Sequence, residues 1–125
     1  MKSKYQAQKE QLKEAFSRFE EVMGKPKDAI VRDAAIQRFE FTFELLWKTL
    51  KSHLRSRGAE EITFPKDILK EAFRAGLIDE EERWFDMLDT RNMTSHIYCE
   101  KMADEAYSKF SGYLDLIGKL INNLP

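Results

Sequence analysis

Apolar side chains return every three or four positions along almost the whole chain, the period of an α-helix rather than of a strand. From Ser3 to Met23, the residues Tyr5, Leu12, Phe16, Phe19 and Met23 fall on one stripe, with Lys, Glu and Gln between them to face solvent. Gly24-Lys25-Pro26 predicts the stop, since glycine suits the position past a helix end and proline does not continue the helix. A second helix is predicted from Lys27 or Asp28 to Arg57, before Gly58, with the seam Ile36, Phe39, Phe43, Leu46, Leu50 and Leu54. Ala34, Phe41 and Leu45 form a second stripe beside that seam, and Trp47 widens it. At about 1.5 Å per residue this helix is about 45 Å long, whereas a globule of this size has a radius of gyration of about 14 Å. It is therefore expected to be the central helix of a bundle and also to pack against a second copy.

Beyond it, Glu60 to Phe64 reads as a loop, and Pro65 suits the first turn of a short helix carrying Ile68, Leu69, Ala72 and Phe73 and ending at Gly76. Asp79 with Glu82 three residues later predicts a reciprocal N-terminal cap for a helix that carries Trp84, Met87, Leu88 and Arg91. Asn92 to His96 contains Asn, Thr, Ser and His, weak helix formers that favour caps, so a break is predicted there. A last helix, from about Tyr98 to Asn122, is expected to bury Met102, Ala106, Phe110, Tyr113, Ile117 and Leu120 or Ile121. The expected fold is all-α: an antiparallel up-and-down four-helix bundle with an extra short helix, forming a single domain over residues 1–125.

Composition narrows the function classes. Five glycines and three prolines supply too few turns for a sandwich or barrel, and nine Phe with two Trp and four Tyr exclude a disordered chain. A net charge of −1 excludes a strongly cationic nucleic-acid coat but leaves room for a local basic face. One cysteine makes no internal disulfide, the N-terminal stretch is polar, and no apolar run is long enough to span a bilayer, so the expected location is cytoplasmic. Two histidines and one cysteine fall short of the four nitrogen or sulfur ligands of a structural zinc site, and no metal site is expected.

Most catalytic motifs are absent, including a Gly-rich phosphate loop, GxSxG and HExxH. Glu80-Glu81-Glu82 reads as the acidic start of a helix, where the dipole favours negative charge. Cys99 has no base beside it and reads as a buried, inert thiol. His53 lies in a basic stretch with Lys48, Lys51, Arg55 and Arg57 and reads as solvated; Lys48, Lys51 and Arg55 share a face that is either a solvated surface or a phosphate contact.

The segment Arg91-Asn92-Met93-Thr94-Ser95-His96-Ile97-Tyr98 gathers a guanidinium, an imidazole and a phenol where the helical pattern falters. An arginine clamps phosphate with two hydrogen bonds, and a histidine gives or takes a proton near neutral pH. Together they suffice for metal-free RNA cleavage: a base takes the 2′-hydroxyl proton, the oxygen attacks phosphorus, and a cation stabilises the crowded phosphorane. The alternative is structural, with Arg91 paired to Asp86, Asp89 or a carboxylate of another helix and His96 capping the last one. Residues five apart on a continuous helix are separated by about 140°, so Arg91 and His96 converge only if the helix breaks or two copies meet across a two-fold axis. A dimer would supply a second His96, one imidazole acting as base and the other as acid.

Arg91-x4-His96-x-Tyr98 resembles the signature of HEPN domains (higher eukaryotes and prokaryotes nucleotide-binding). Arg38 to Lys48, Pro65 to Leu77 and Asp86 to His96 resemble the HEPN branch called nucleotidyltransferase substrate-binding proteins, and the similarity runs from about Tyr5 to Leu120. The resemblance implies a homodimeric bundle that partners a minimal nucleotidyltransferase encoded nearby, originally read as the subunit binding the transferase's substrate. It also implies a relation to toxin–antitoxin pairs in which the HEPN member is a metal-independent RNase, silenced when the transferase adds AMP to the motif tyrosine. Carried over by position, Arg91 and His96 would be the RNA-cleaving pair, Tyr98 the AMP acceptor and Asn92 a residue orienting phosphate. ATP and Mg²⁺ would belong to the partner, and this chain would bind no cofactor of its own. An AMP diester on Tyr98 would place an anion beside Arg91 and His96 and repel an RNA phosphate.

Overall fold

The computed structural model describes residues 1–59 and 61–125, so Glu60, which opens the predicted loop, lies outside the described residues. Six α-helices follow in order: α1 (Lys4–Met23), α2 (Ala29–Ser56), α3 (Pro65–Arg74), α4 (Glu81–Met93), α5 (Glu100–Ser108) and α6 (Phe110–Asn123). A 3₁₀ turn, Thr94–His96, follows α4. The all-helical bundle expected from the sequence is the fold observed.

The first two helices start on side-chain caps. Ser3 Oγ accepts from the Gln6 amide while the Gln6 side chain accepts from the Ser3 amide, a reciprocal box that satisfies two orphan donors. Asp28 caps α2 by accepting from the Val31 amide at 2.7 Å. The Asp79–Glu82 cap predicted for α4 does not form. Glu80 stands at that N-cap instead, with φ +52°, in the left-handed region and without a side-chain cap bond. The predicted last helix is also divided: Ser108 Oγ donates to the Glu105 carbonyl at 2.6 Å, and Lys109 makes a tightened turn onto Ala106 before α6 begins.

The core is aromatic and centred on α2. Phe39 is fully buried; its ring stacks on Phe110 at 4.7 Å and Tyr113 at 5.6 Å and meets Phe19 at 6.0 Å, so α1, α2 and α6 lock at one point. Phe43, Leu46, Leu50 and Leu54 continue the seam in the predicted register, whereas Phe41, Leu45 and Trp47 stay half-buried. Thr42 and Thr49 are buried on the same helix because each hydroxyl donates to a carbonyl four residues back, Arg38 and Leu45.

His53 corrects the sequence reading. It is buried, not solvated, with its ring 5.3 Å from that of Tyr5, and burial pushes its protonation below the usual histidine range. Tyr5 in turn donates to the Pro125 carbonyl at 3.0 Å, and Lys9 Nζ to the same carbonyl at 2.7 Å.

Replacing Phe39 with alanine is expected to lower the free energy of unfolding by about 3–5 kcal/mol, since it empties the shared contact of three helices. Urea denaturation monitored by circular dichroism measures this; a loss below about 1 kcal/mol would show that the ring is not the packing centre.

Candidate functional site

The candidate site is the corner between α4 and α5. Helix α4 ends at Met93 because the next hydroxyls take its last carbonyls: Thr94 Oγ1 donates to Arg91 at 2.7 Å and Ser95 Oγ to Asn92 at 3.3 Å. The chain then tightens through Thr94–His96 and extends at Ile97, with φ −87° and ψ 109°. Ile97 packs on the core, which leaves His96 and Tyr98, the residues on either side of it, exposed together. Their side chains meet: His96 Nδ1 lies 2.9 Å from Tyr98 Oη, with the rings at 62° to each other. Tyr98 is 79% exposed.

Arg91 is placed differently. From α4 its guanidinium reaches across to α2, with Nη1 3.8 Å from Glu40 and Nη2 3.7 Å from Glu44. These are ion pairs longer than hydrogen bonds, and Nε is buried with no hydrogen-bond partner among the described residues. Glu44 also accepts from Trp47 Nε1 at 3.1 Å and lies 3.9 Å from Lys48 Nζ, so Arg91 and Lys48 share one carboxylate. Lys51 sits one turn further along, its Nζ 5.9 Å from the centre of the Trp47 ring, the same separation as Lys48. Asn92 is exposed beside the break. Within one protomer the structure thus brings His96 and Tyr98 into contact, leaves Arg91 on Glu40 and Glu44, and places Lys48 and Lys51 beyond it on α2.

Tyr98 stands at the rim of a cleft of about 600 Å³ between the start of α2 and the start of α5. Its apolar lining comes from Ile36, Ile97 and Ala103, and its charged lining from Arg32, Asp33 and Glu100. The Arg32 side chain is only 6% exposed; it donates to Glu100, to Asp33 at 3.0 Å and to Asp104 at 3.2 Å. Lys27 reaches Asp104 from the other side at 2.9 Å. The hydrogen bond from Arg32 holds the Glu100 carboxyl below its usual range, and those from Lys27 and then Arg32 do the same for Asp104. Sequence reasoning missed Arg32. The available signal was its position four residues before Ile36 and seven before Phe39, on the apolar seam.

Residues Arg32, Ile36, Glu40 and Glu44 succeed one another four apart along α2, so the Tyr98 cleft and Arg91 lie along one side of the same helix. From Ile36 to Glu40 and Glu44 is about 6 to 12 Å along its axis. Cys99, expected to be buried, is exposed on the cleft. Among the described residues no group of three or more His, Cys, Asp or Glu side chains is placed to hold a metal ion. No helix among them is long and apolar enough to cross a membrane.

A family model described as nucleotidyltransferase substrate binding protein like matches residues 5–125. The chain belongs to this family. The matched residues contain the whole stretch, from about Tyr5 to Leu120, that resembles the nucleotidyltransferase substrate-binding branch. A curated relative from Haemophilus influenzae (strain Rd), called probable ribonuclease HepT, is 37% identical over 94 residues, 69% of this chain. The match spans about 64% of that relative's length. A solved structure from the same species, described as revealing the fold of a substrate binding domain of a nucleotidyltransferase, superposes with a TM-score of 0.82 at 30% identity. It covers 92% of this chain and 97% of the other. A crystal structure from Thermus thermophilus gives a TM-score of 0.81 at 32% identity, covering 89% and 96% of the two chains.

The Arg32 cluster sets a pH dependence. Carboxyls held below their usual range in the folded state contribute stability that is full above that range and is lost as pH falls through their folded values. Arg32→Met is expected to make this acid-side loss, between about pH 5 and pH 2, shallower than in the parent. Thermal unfolding midpoints measured across that window test it; parallel acid limbs would show that Arg32 does not hold the two carboxyls.

Proposed function

We propose that this protein is the partner, substrate-binding subunit of a minimal nucleotidyltransferase in a two-component system of the toxin–antitoxin type, and that it presents Tyr98 for AMP addition. The observation that carries this reading is the exposure of Tyr98: its hydroxyl stands free of the core at the rim of an open cleft. A nucleotidyl transferase must bring an α-phosphate in line with its acceptor, which an exposed phenol on a corner between two helices permits. Family membership and the neighbour described as a substrate binding domain support the transferase as partner. ATP and Mg²⁺ are assigned to that partner, and the working assembly is a homodimer of this chain with the transferase docked at the α4–α5 corner.

A second reading rests on Arg91. Its Nη1 and Nη2 reach their carboxylates only at 3.8 and 3.7 Å, so a phosphate oxygen offers these nitrogens closer hydrogen bonds than the protein does. With His96 as proton acceptor this pair would cut RNA without metal, as the name of the Haemophilus influenzae relative suggests for that protein. Asn92, exposed beside Arg91, and Lys48 and Lys51 would extend the phosphate contacts. A second copy would bring Arg91 and His96 together across the dimer axis, because within the protomer they face different partners. AMP on Tyr98 would then silence cleavage by setting an anion beside the pair.

Incubation with the transferase, ATP and Mg²⁺ is expected to add one or more AMP units in intact-mass spectra, and Tyr98→Phe to remove the gain; labelling that persists in Tyr98→Phe refutes the acceptor assignment. The purified protein is also expected to cut RNA in EDTA and to leave 2′,3′-cyclic phosphate ends, with His96→Ala lowering the rate by about 10²–10⁴-fold. Cleavage undiminished by that substitution would remove His96 from the nuclease.

A further inference from the structure

We propose that His96 is the general base of nucleotidyl transfer to Tyr98, acting through Nδ1, the ring nitrogen already bonded to the phenol. The inference rests on the acceptor role given to Tyr98 above and adds a chemical task that neither the family match nor the relatives assign.

A phenol at neutral pH is a weak nucleophile until something takes its proton. Nδ1 is 2.9 Å from Oη, inside the range a general base needs, and the contact is built by local backbone geometry: Ile97 turns into the core, so residues 96 and 98 share the solvent side. The neighbouring acid is not available for the task. Glu100, two residues on, accepts from Arg32, which holds its carboxyl below the usual range and makes it a poor proton acceptor. Cys99 lies between them without a base of its own and is not needed. Both rings are exposed, so a nucleoside triphosphate carried by a docked partner can approach Oη from the side opposite His96.

The step balances as a displacement at phosphorus. The Oη–H proton passes to Nδ1, Oη bonds to the α-phosphorus of the triphosphate, and the bond to the bridging oxygen breaks. Pyrophosphate leaves with that electron pair, and the imidazolium returns its proton to solvent. Accepting at Nδ1 requires the tautomer with hydrogen on Nε2. RNA cleavage through Nε2 would require the opposite tautomer, with Nδ1–H donating to Oη.

The test is the single-turnover rate of AMP incorporation into the full chain with the transferase and MgATP, followed by intact mass, for the parent, His96→Ala and His96→Asn. Asparagine can accept the phenol hydrogen bond but cannot take the proton. The parent is expected to label, both variants to slow by about 10²–10⁴-fold, and added imidazole to recover part of the rate of His96→Ala. Parent-like labelling of His96→Ala or of His96→Asn, or no gain from imidazole, overturns the base while leaving Tyr98 the acceptor. Absence of labelling in the parent defeats the acceptor reading itself, so the two failures are distinguishable.

Discussion

Every other helix of this molecule is positioned by its contact with α2. At 28 residues it is about 42 Å long and packs against α1, α3, α4 and α5, while Phe39 brings in α6 through Phe110 and Tyr113. The same helix carries the partners of the candidate site: Arg32 and Ile36 form the wall and floor of the Tyr98 cleft, and Glu40 and Glu44 receive Arg91. Core and chemistry therefore meet along one rod, with Ile36 belonging to both. The chemistry sits where α4 stops short of continuing along it.

That stop explains how much of the site was legible in the sequence. Thr94 and Ser95 compete for the last carbonyls of α4, a local effect that composition reveals, so the break between Arg91 and His96 could be anticipated. The pairing of His96 with Tyr98 needed one more fact, that Ile97 faces inward, and a half-buried isoleucine in a short extended link carries no periodic signal. Arg32 was hidden for the opposite reason: it occupies a seam position, where a charge breaks the pattern, and only Glu100 and Asp104, about seventy residues later, make sense of it.

Elsewhere the errors follow from composition overriding register. His53 sits among Lys and Arg but falls three residues after Leu50 and one before Leu54, on the buried side, where the Tyr5 ring covers it. Lys109 interrupts the last helix although Phe110 and Tyr113 preserve the expected spacing, because a one-residue turn leaves the apolar stripe in phase. Glu80 takes a left-handed backbone where the Asp79–Glu82 capping pattern asked for the first helical residue. Periodicity located the helices; the backbone at Glu80 and the turn at Lys109 had to be seen.

The tie between the first turns of α1 and Pro125 has a practical meaning. Tyr5 and Lys9 hold Pro125 at the end of α2 that bears His53, whereas Tyr98 stands near Arg32, twenty-one residues and about 30 Å away along that rod. A fluorophore carried on an exposed side chain of the His53 pole, such as Lys2 or Glu10, would project away from the reactive corner and leave it unobstructed.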